Sequence, residues 1–385
     1  MPEPLRFAAG NRVTLLESGR EYFPALIGAI ESAQRDVSLE TYIYWEDAIG
    51  EAATVALENA ARRGVSVRLL IDGFGARDFP PQWLHRLEEA GASVLVFRPR
   101  ARWRFGRSEL RRMHRKIAVI DGARAFVGGL NIIDDLTEVK TSHPRFDLAV
   151  QVEGPLVARI YQAVEGLWRG VVAFQLQRNV PRSKFSCADA PMGNMDTALV
   201  LRDNIRHRRD IERVYVDGLL TARHDVFIAC AYFLPGRRFR RLLRDATERG
   251  VRVVLLLQGS TDHPLLQWAT RALYENLLDH GVEIHEYTKS EMHAKAAVFD
   301  GRLAMVGSSN LDPFSLLMSR EANVVVRDAG FGAHLQGVIE TAVKDGGQPV
   351  RRMLWKHRPF WSRVGTWMGY GFARFAIGVM GLHGF

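Results

Sequence analysis

Two stretches of this 385-residue chain carry the residue types that phosphate chemistry requires. The first reads Met113-His114-Arg115-Lys116-Ile-Ala-Val-Ile-Asp121-Gly122 and continues through Gly128-Gly129-Leu130-Asn131. The second reads Met292-His293-Ala294-Lys295-Ala-Ala-Val-Phe-Asp300-Gly301 and continues through Gly307-Ser308-Ser309-Asn310. In both, His and Lys stand two apart at the head of a β-branched or apolar run, so on a strand they share one side. Gly129 permits close approach of backbone to a ligand, while Ser308 or Ser309, Asn131 and Asn310 add uncharged donors for phosphate oxygens. A phosphodiester anion repels nucleophiles, so cleaving it needs cations and donors around its oxygens, an attacking group and an acid for the departing alcohol. Paired His, Lys and Asn residues supply all of these.

A lone His near a strand is usually a packed or surface residue, and a lone HxK carries little weight. The full pattern, however, occurs twice at equivalent places in a repeat. No HExxH, CxxC or acidic cluster at metal-ligand spacing is present, so neither a metal nor another cofactor is expected.

The elements that must position these residues also repeat. Ala61-Arg-Arg-Gly-Val-Ser-Val-Arg-Leu-Leu-Ile-Asp-Gly73 returns as Thr247-Glu-Arg-Gly-Val-Arg-Val-Val-Leu-Leu-Leu-Gln-Gly259, a helix end, a Gly turn and a buried strand. The helix and strand of Trp83 to Phe97 return as Leu273 to Tyr287. Strands alternating with amphipathic helices predict an α/β fold of two sandwich repeats, each with a mixed or mainly parallel sheet, related by a pseudo-twofold axis with the site between them. Residues 1–174 form the first repeat and 198–345 the second. The stretch 175–197, rich in Pro, Ser, Gly and Asn, links them, and 346–385 is a separate C-terminal segment.

With its duplicated HxKxxxxD signature, complete at His114, Lys116, Asp121 and at His293, Lys295, Asp300, the chain resembles the phospholipase D superfamily from about Arg12 to Val326. The resemblance implies phosphoryl transfer without metal through a phosphohistidine, with His114 as nucleophile and His293 as the acid for the leaving alcohol. Lys116, Lys295, Asn131 and Asn310 would hold the charged oxygens. Arg145-Phe146-Asp147 and Arg320-Glu321 each place a carboxylate at the start of a further apolar strand, and the family pattern implies that Asp147 orients His114 and Glu321 orients His293. Asp121 and Asp300 complete the motif and precede Gly at a strand end, where Asp-Gly is an ordinary turn, so they read as supporting residues and not as proton carriers.

The superfamily includes lipid hydrolases, phosphatidyltransferases and nucleases, so the substrate must be read elsewhere. Glu40-Thr-Tyr-Ile-Tyr44, Ala231-Tyr-Phe-Leu-Pro235 and Gly307 to Ser315 resemble bacterial cardiolipin synthases, in particular the B type without N-terminal spans. That likeness implies transfer of a phosphatidyl group from phosphatidylglycerol to a second phospholipid, phosphatidylglycerol or phosphatidylethanolamine. Hydrolysis by water and cleavage of nucleic acid are the alternatives. Lys and Arg outnumber Asp and Glu by 52 to 43, a net charge of +9 that favours phosphate-bearing partners. Phospholipid substrates and an anionic membrane surface are expected, and nucleic acid is not.

Between Phe97 and His114 the first half carries an insertion, Arg98 to Arg112, in which Arg alternates with Trp103 and Phe105. This pattern suits an interface with anionic lipid. The segment Met353 to Leu382 is aromatic, basic at its start and apolar at its end, and Arg374 leaves it too short an apolar run to span about 30 Å of hydrocarbon. It is expected to lie in the interface. Met1 to Thr14 has no apolar run of signal or transmembrane length, and Cys187 and Cys230 are too few for a disulfide framework. Together these place the protein peripherally on the cytoplasmic side of the inner membrane.

Overall fold

The repeated helix-Gly-strand unit forms for the same local reasons in both halves. Helix α2 (Ala48–Arg62) starts where the Asp47 side chain accepts the Gly50 N–H at 2.8 Å, a helix cap. It ends with Gly64 at φ +87° and Val65 N–H on the Ala60 carbonyl; α6 (Arg237–Glu248) ends identically with Gly250 at φ +86° and Val251 on Ala246. Only a residue without Cβ takes that turn at no steric cost. The strands that follow, β3 (Ser66–Asp72) and β10 (Arg252–Gln258), are buried after their first residue, as strands covered on both faces must be.

The computed structural model describes residues 5–99, 111–135, 143–175, 187, 190–259, 264–356, 368, 369 and 371. In the first half, β2 (Asp36–Thr41), β3 and β4 (Ser93–Phe97) are parallel, and β5 (Ile117–Ile120), β6 (Arg124–Gly128) and β7 (Leu148–Glu153) extend them antiparallel. In the second half β9 (Asp225–Cys230), β10 and β11 (Glu283–Tyr287) are parallel, extended by β12 (Lys295–Phe299), β13 (Leu303–Gly307) and β14 (Glu321–Arg327). Strand β1 (Ala8–Glu17) lies beside β7, β8 (Met195–Arg202) lies beside β14, and β1 and β8 pair with each other. Read outward from that seam, β8-β14-β13-β12-β9-β10-β11 mirrors β1-β7-β6-β5-β2-β3-β4. This is the order that two repeats about a pseudo-twofold axis produce.

Helix α1 (Ser18–Glu31), α2 and α3 (Pro81–Glu89) bury Tyr22, Leu26, Leu57 and Trp83 against one face of the first sheet. Helices α5 (Asp210–Thr221), α6 and α8 (Tyr274–Asp279) do the same for the second through Tyr215, Leu243 and Tyr274. The other faces share a single core, in which Ile117, Val119 and Val150 join Ala296, Val298 and Val324 together with α4 (Leu156–Phe174) and α10 (Ala329–Gly346). That common core fixes one half on the other.

Two boundaries fall differently from the sequence reading. Strand β8 starts at Met195, inside the stretch read as linker, because its alternating residues complete the sheet beside β14. After α10, residues Gly347–Pro349 form β15 on the edge of β11, and Trp355 of α11 (Arg352–Lys356) stacks 5.0 Å from the Tyr274 ring. The start of the C-terminal segment thus packs on the second half. Most of the rest of it, and residues 100–110 of the insertion with Trp103 and Phe105, lie outside the described residues.

The motif aspartates Asp121 and Asp300, counted with the catalytic motif but read as supporting residues, hold the fold and lie away from the imidazoles. Each sits at positive φ, 53° and 52°, followed by Gly122 or Gly301 also at positive φ, the turn that joins β5 to β6 and β12 to β13. The Asp121 carboxylate accepts the N–H groups of Gln34, Arg35 and Asp36; that of Asp300 accepts those of Arg223, His224 and Asp225. They lie five residues along the strand from the motif lysines, about 16 Å away. Those three N–H donors hold the Asp300 carboxyl below its ordinary pKa, against the opposing effect of its partial burial. Substituting Asp300 by Ala should lower stability by about 1–3 kcal/mol in urea unfolding and leave turnover per folded molecule intact. Lost turnover at unchanged stability would return the carboxylate to the chemistry.

Candidate active site

The site is assembled by backbone that crosses from one half to the other. At the end of β3, Asp72 accepts the Met113 N–H at 2.8 Å; at the end of β10, Gln258 accepts the Met292 N–H at 2.5 Å. Each motif is thereby held in extended form just before its strand. Met113 then bridges to Arg320 and Met292 to Phe146. His114 N–H donates to the Arg320 carbonyl at 3.0 Å and His293 N–H to the Phe146 carbonyl at 2.8 Å. The residue after each bridged partner is the carboxylate, Glu321 or Asp147, so each imidazole meets the carboxylate of the opposite half.

His114 Nδ1 lies 3.1 Å from the Glu321 carboxylate, and His293 Nδ1 lies 2.7 Å from Asp147 Oδ2. This reverses the expected pairing of Asp147 with His114 and Glu321 with His293. The cause is the crossing: within one half the carboxylate strand is adjacent in sequence, but its leading residue is hydrogen-bonded to the other half's motif. With Nδ1 engaged, each ring keeps Nε2 for chemistry. The two imidazole centroids are 6.4 Å apart. Lys116 Nζ donates to the His114 carbonyl at 2.8 Å and Lys295 Nζ to the His293 carbonyl, which ties each ammonium to its own motif.

Four of the expected phosphate ligands have other tasks or a restricted one. Ser308 Oγ donates to Glu321 at 2.5 Å and accepts the Ala322 N–H at 3.1 Å, so it holds the carboxylate and not a substrate. Gly129 stands at the equivalent place, where a Cβ would come 2.1 Å from Asp147 Oδ1; what approaches its backbone is that carboxylate. Asn131 and Asn310 each accept one backbone N–H, from Ile43 at 3.1 Å and Tyr232 at 3.3 Å, so each can offer an anion only its NH2.

Burial decides the electrostatics. It lowers the pKa of His114, which Glu321 partly restores and Lys116 lowers further. His293 is held well below the ordinary range by burial, then by Lys295, Lys116 and Arg145. Burial likewise brings Lys116 down to about 7 and Lys295 to about 8, with their mutual repulsion adding to the shift of Lys116, and pushes Asp147 up to about 6. Cations confined at low dielectric gain most from an anion among them. The arrangement therefore suits attack by one neutral imidazole on a phosphodiester and protonation of its leaving oxygen by the other. Among the described residues, no group of three His, Cys, Asp or Glu side chains could hold a metal ion.

The sequence reading missed Asp72 and Gln258, though both precede Gly at the same place in the repeat. It gave no role to Tyr42, whose ring lies 4.9 Å from His114 and 5.3 Å from Lys116 Nζ. Nor did it find the buried pair of Arg115 and Glu40, 2.6 Å apart, replaced in the other half by Ala294 and Ala229.

Comparison with known proteins gives a family model described as cardiolipin synthase, PLD-like domain, which matches residues 26–168 and 215–342. The chain is 39% identical to cardiolipin synthase B of Escherichia coli (strain K12) over 367 residues, 95% of this chain and 88% of that one. It is 29% identical to cardiolipin synthase A of Cronobacter sakazakii, over 94% of this chain and 75% of that one. Among solved structures, the phosphatidylserine synthase of Haemophilus influenzae superposes with a TM-score of 0.70 at 13% identity, covering 98% of this chain and 96% of that one, a likeness of fold.

The crossed pairing is checked by the imidazole N–H resonances of protein labelled with ¹⁵N-histidine. E321Q should move the Nδ1–H signal of His114 and D147N that of His293. The opposite assignment would contradict the crossing.

Proposed function

Because the chain belongs to the cardiolipin synthase family of phospholipase D-like proteins, we propose that it transfers a phosphatidyl group from phosphatidylglycerol to the glycerol hydroxyl of a second phospholipid, phosphatidylglycerol or phosphatidylethanolamine. The products are cardiolipin or its analogue and a released small alcohol. The observation that carries this reading is the pair of imidazoles 6.4 Å apart, each backed by a carboxylate and flanked by a lysine ammonium.

One Nε2 attacks phosphorus to give a phosphohistidine, and the other, protonated, donates to the leaving oxygen. The second imidazole then takes the proton of the incoming hydroxyl as that oxygen displaces the histidine. The pseudo-twofold arrangement can serve either order; the family resemblance gives the attack to His114. Lys116, Lys295 and the amide NH2 groups of Asn131 and Asn310 hold the phosphoryl oxygens, whose charge peaks as the bonds exchange. The carboxylates of Asp147 and Glu321 keep Nδ1 protonated and steady the imidazolium when it forms.

A lipid substrate places the enzyme at a bilayer, on the cytoplasmic face of the inner membrane in our reading, with the basic and aromatic insertion and C-terminal segment meeting anionic headgroups. Among the described residues no helix is long and apolar enough to cross a membrane.

The test is incubation with labelled phosphatidylglycerol vesicles and, separately, with single-stranded DNA, followed by product separation. Cardiolipin should form from the vesicles, H114A and H293A should each lose at least about 10³-fold in turnover, and EDTA should leave the rate unchanged. Phosphatidic acid as sole product would make the protein a hydrolase, and cleaved DNA with intact lipid a nuclease. The dependence of kcat/KM on pH should be bell-shaped. Protonation of Asp147 below about 6 removes the anchor of His293, and loss of charge from Lys116 and Lys295 between about 7 and 8 removes the attraction for the anion. A flat profile from pH 5 to 9 would contradict these shifts.

A further inference from the structure

Helices α2 and α6 fill the same place in the repeat and meet the same demands of the fold. Each covers its sheet, ends in a glycine at positive φ and returns its chain to the Ala60 or Ala246 carbonyl. Aligned on Gly64 and Gly250, the buried Ala53, Ala56, Leu57 and Ala60 of α2 correspond to the buried Phe239, Leu242, Leu243 and Ala246 of α6. The positions between them diverge. Glu51, Ala52, Val55 and Glu58 correspond to Arg237, Arg238, Arg241 and Arg244. In α2 both glutamates are held by Arg86, at 2.9 and 2.8 Å. In α6, among the described residues, none of the four arginines is in a salt bridge. Covering the sheet does not require this charge, since the first half does without it.

The start of α6 is tied to the cleft. Ala231 N–H donates at 3.2 Å to the carbonyl of Ala294, between His293 and Lys295, and Tyr232 N–H donates to Asn310 at 3.3 Å. The Phe233 carbonyl then accepts the Thr270 hydroxyl at 2.7 Å, and Gly236, three residues on, opens α6. Thr270 belongs to α7 (Pro264–Arg271), whose inner side is occupied. Ala269 and Thr270 are buried, Gln267 donates to the Gly259 carbonyl at 2.5 Å, and Arg271 holds Glu286 at 2.8 Å. Its outer side carries Leu265 and Trp268, one turn apart, 50% and 45% exposed. A Cβ on Gly369 would stand 2.8 Å from the Trp268 Cβ, so the C-terminal segment touches the same helix, and its Met368 is exposed.

Exposed Trp, Leu and Met beside arginines outside any salt bridge combine the two attractions of a bilayer that carries anionic lipid. The apolar side chains enter the boundary of the acyl chains, and the guanidiniums stay among the headgroups. A nucleic acid would use the arginines and Trp268 and has no use for Leu265 or Met368. We propose that the exposed arginines of α6 and the outer side of α7 form a docking surface for an anionic phospholipid bilayer, beside the mouth of the cleft on the second half. This rests on the lipid-substrate reading above and gives the bilayer a contact separate from the Arg98–Arg112 insertion. Arg237 stands six residues from Ala231, at most about 20 Å along the backbone, which keeps a docked headgroup layer close to the imidazoles.

The test is sedimentation of full-length protein with vesicles of phosphatidylcholine alone and of phosphatidylcholine with phosphatidylglycerol. R237Q/R238Q/R241Q should bind the anionic vesicles about 100-fold more weakly than wild type. L265S/W268S should lose about 10-fold or more on the same vesicles. Both variants should unfold at the wild-type urea concentration, because every substituted residue is exposed. R159Q/R302Q/R327Q removes the same charge from exposed arginines around the cavity beside Asp300, away from the cleft, and should bind as wild type does. Equal loss in that variant, or wild-type vesicle binding by either docking variant, overturns the surface. Vesicle binding kept by R237Q/R238Q/R241Q while binding of single-stranded DNA is lost would make α6 a nucleic-acid surface instead. Wild-type protein that docks through these residues and forms no cardiolipin overturns the synthase reading alone.

Discussion

The short backbone bridges Met113 to Arg320 and Met292 to Phe146 determine what the rest of the site can be. Neither is part of a long ladder. Each fixes the last extended residue before a motif imidazole to the last residue before a carboxylate, and it does so across the pseudo-twofold axis. Neither half contains a complete histidine-carboxylate pair. The shared core of β5, β7, β12 and β14 holds the halves in register, and the bridges convert that register into a pair of imidazoles 6.4 Å apart.

Such a site is electrostatically incomplete in a specific way. Two lysines, two histidines and two carboxylates are gathered where burial opposes every charge, and the shifts of Lys116, Lys295, His293 and Asp147 all run toward the neutral form. An anion between the lysines reverses that tendency for the cations. The same low dielectric that makes the free cluster unfavourable strengthens each contact with a phosphoryl group. The two half-sites also differ in detail: Ser308 donates to the longer Glu321, whereas Gly129 makes room for the shorter Asp147. A reaction with unlike first and second steps has a use for unlike imidazoles.

Much of this was legible in the sequence because it is periodic. The repeat around Gly64 and Gly250, the doubled motif and the alternation of strand and helix gave the architecture and the lysines and histidines of the site. The pairing of carboxylates was not legible, because Asp147 is nearer in sequence to His114 and only the crossing assigns it to His293. Asp121 and Asp300 were legible as turn residues from the Gly that follows each, but the three backbone N–H groups that each carboxylate holds come from a distant segment and were not. Ser308 and Gly129 were read as phosphate ligands for the same reason: their small size was visible, and the carboxylate that uses it was not. Tyr42 and Arg115 lie within runs whose apolar or basic character gave no sign of contact with the site.

The account depends on both imidazoles addressing one phosphorus. A crystal structure of the protein with orthovanadate tests this directly. The account predicts a single vanadium bonded to one Nε2, the other Nε2 on its opposite side, and oxygens on Lys116 and Lys295. Vanadate bound at two separate positions, one per half, would contradict it.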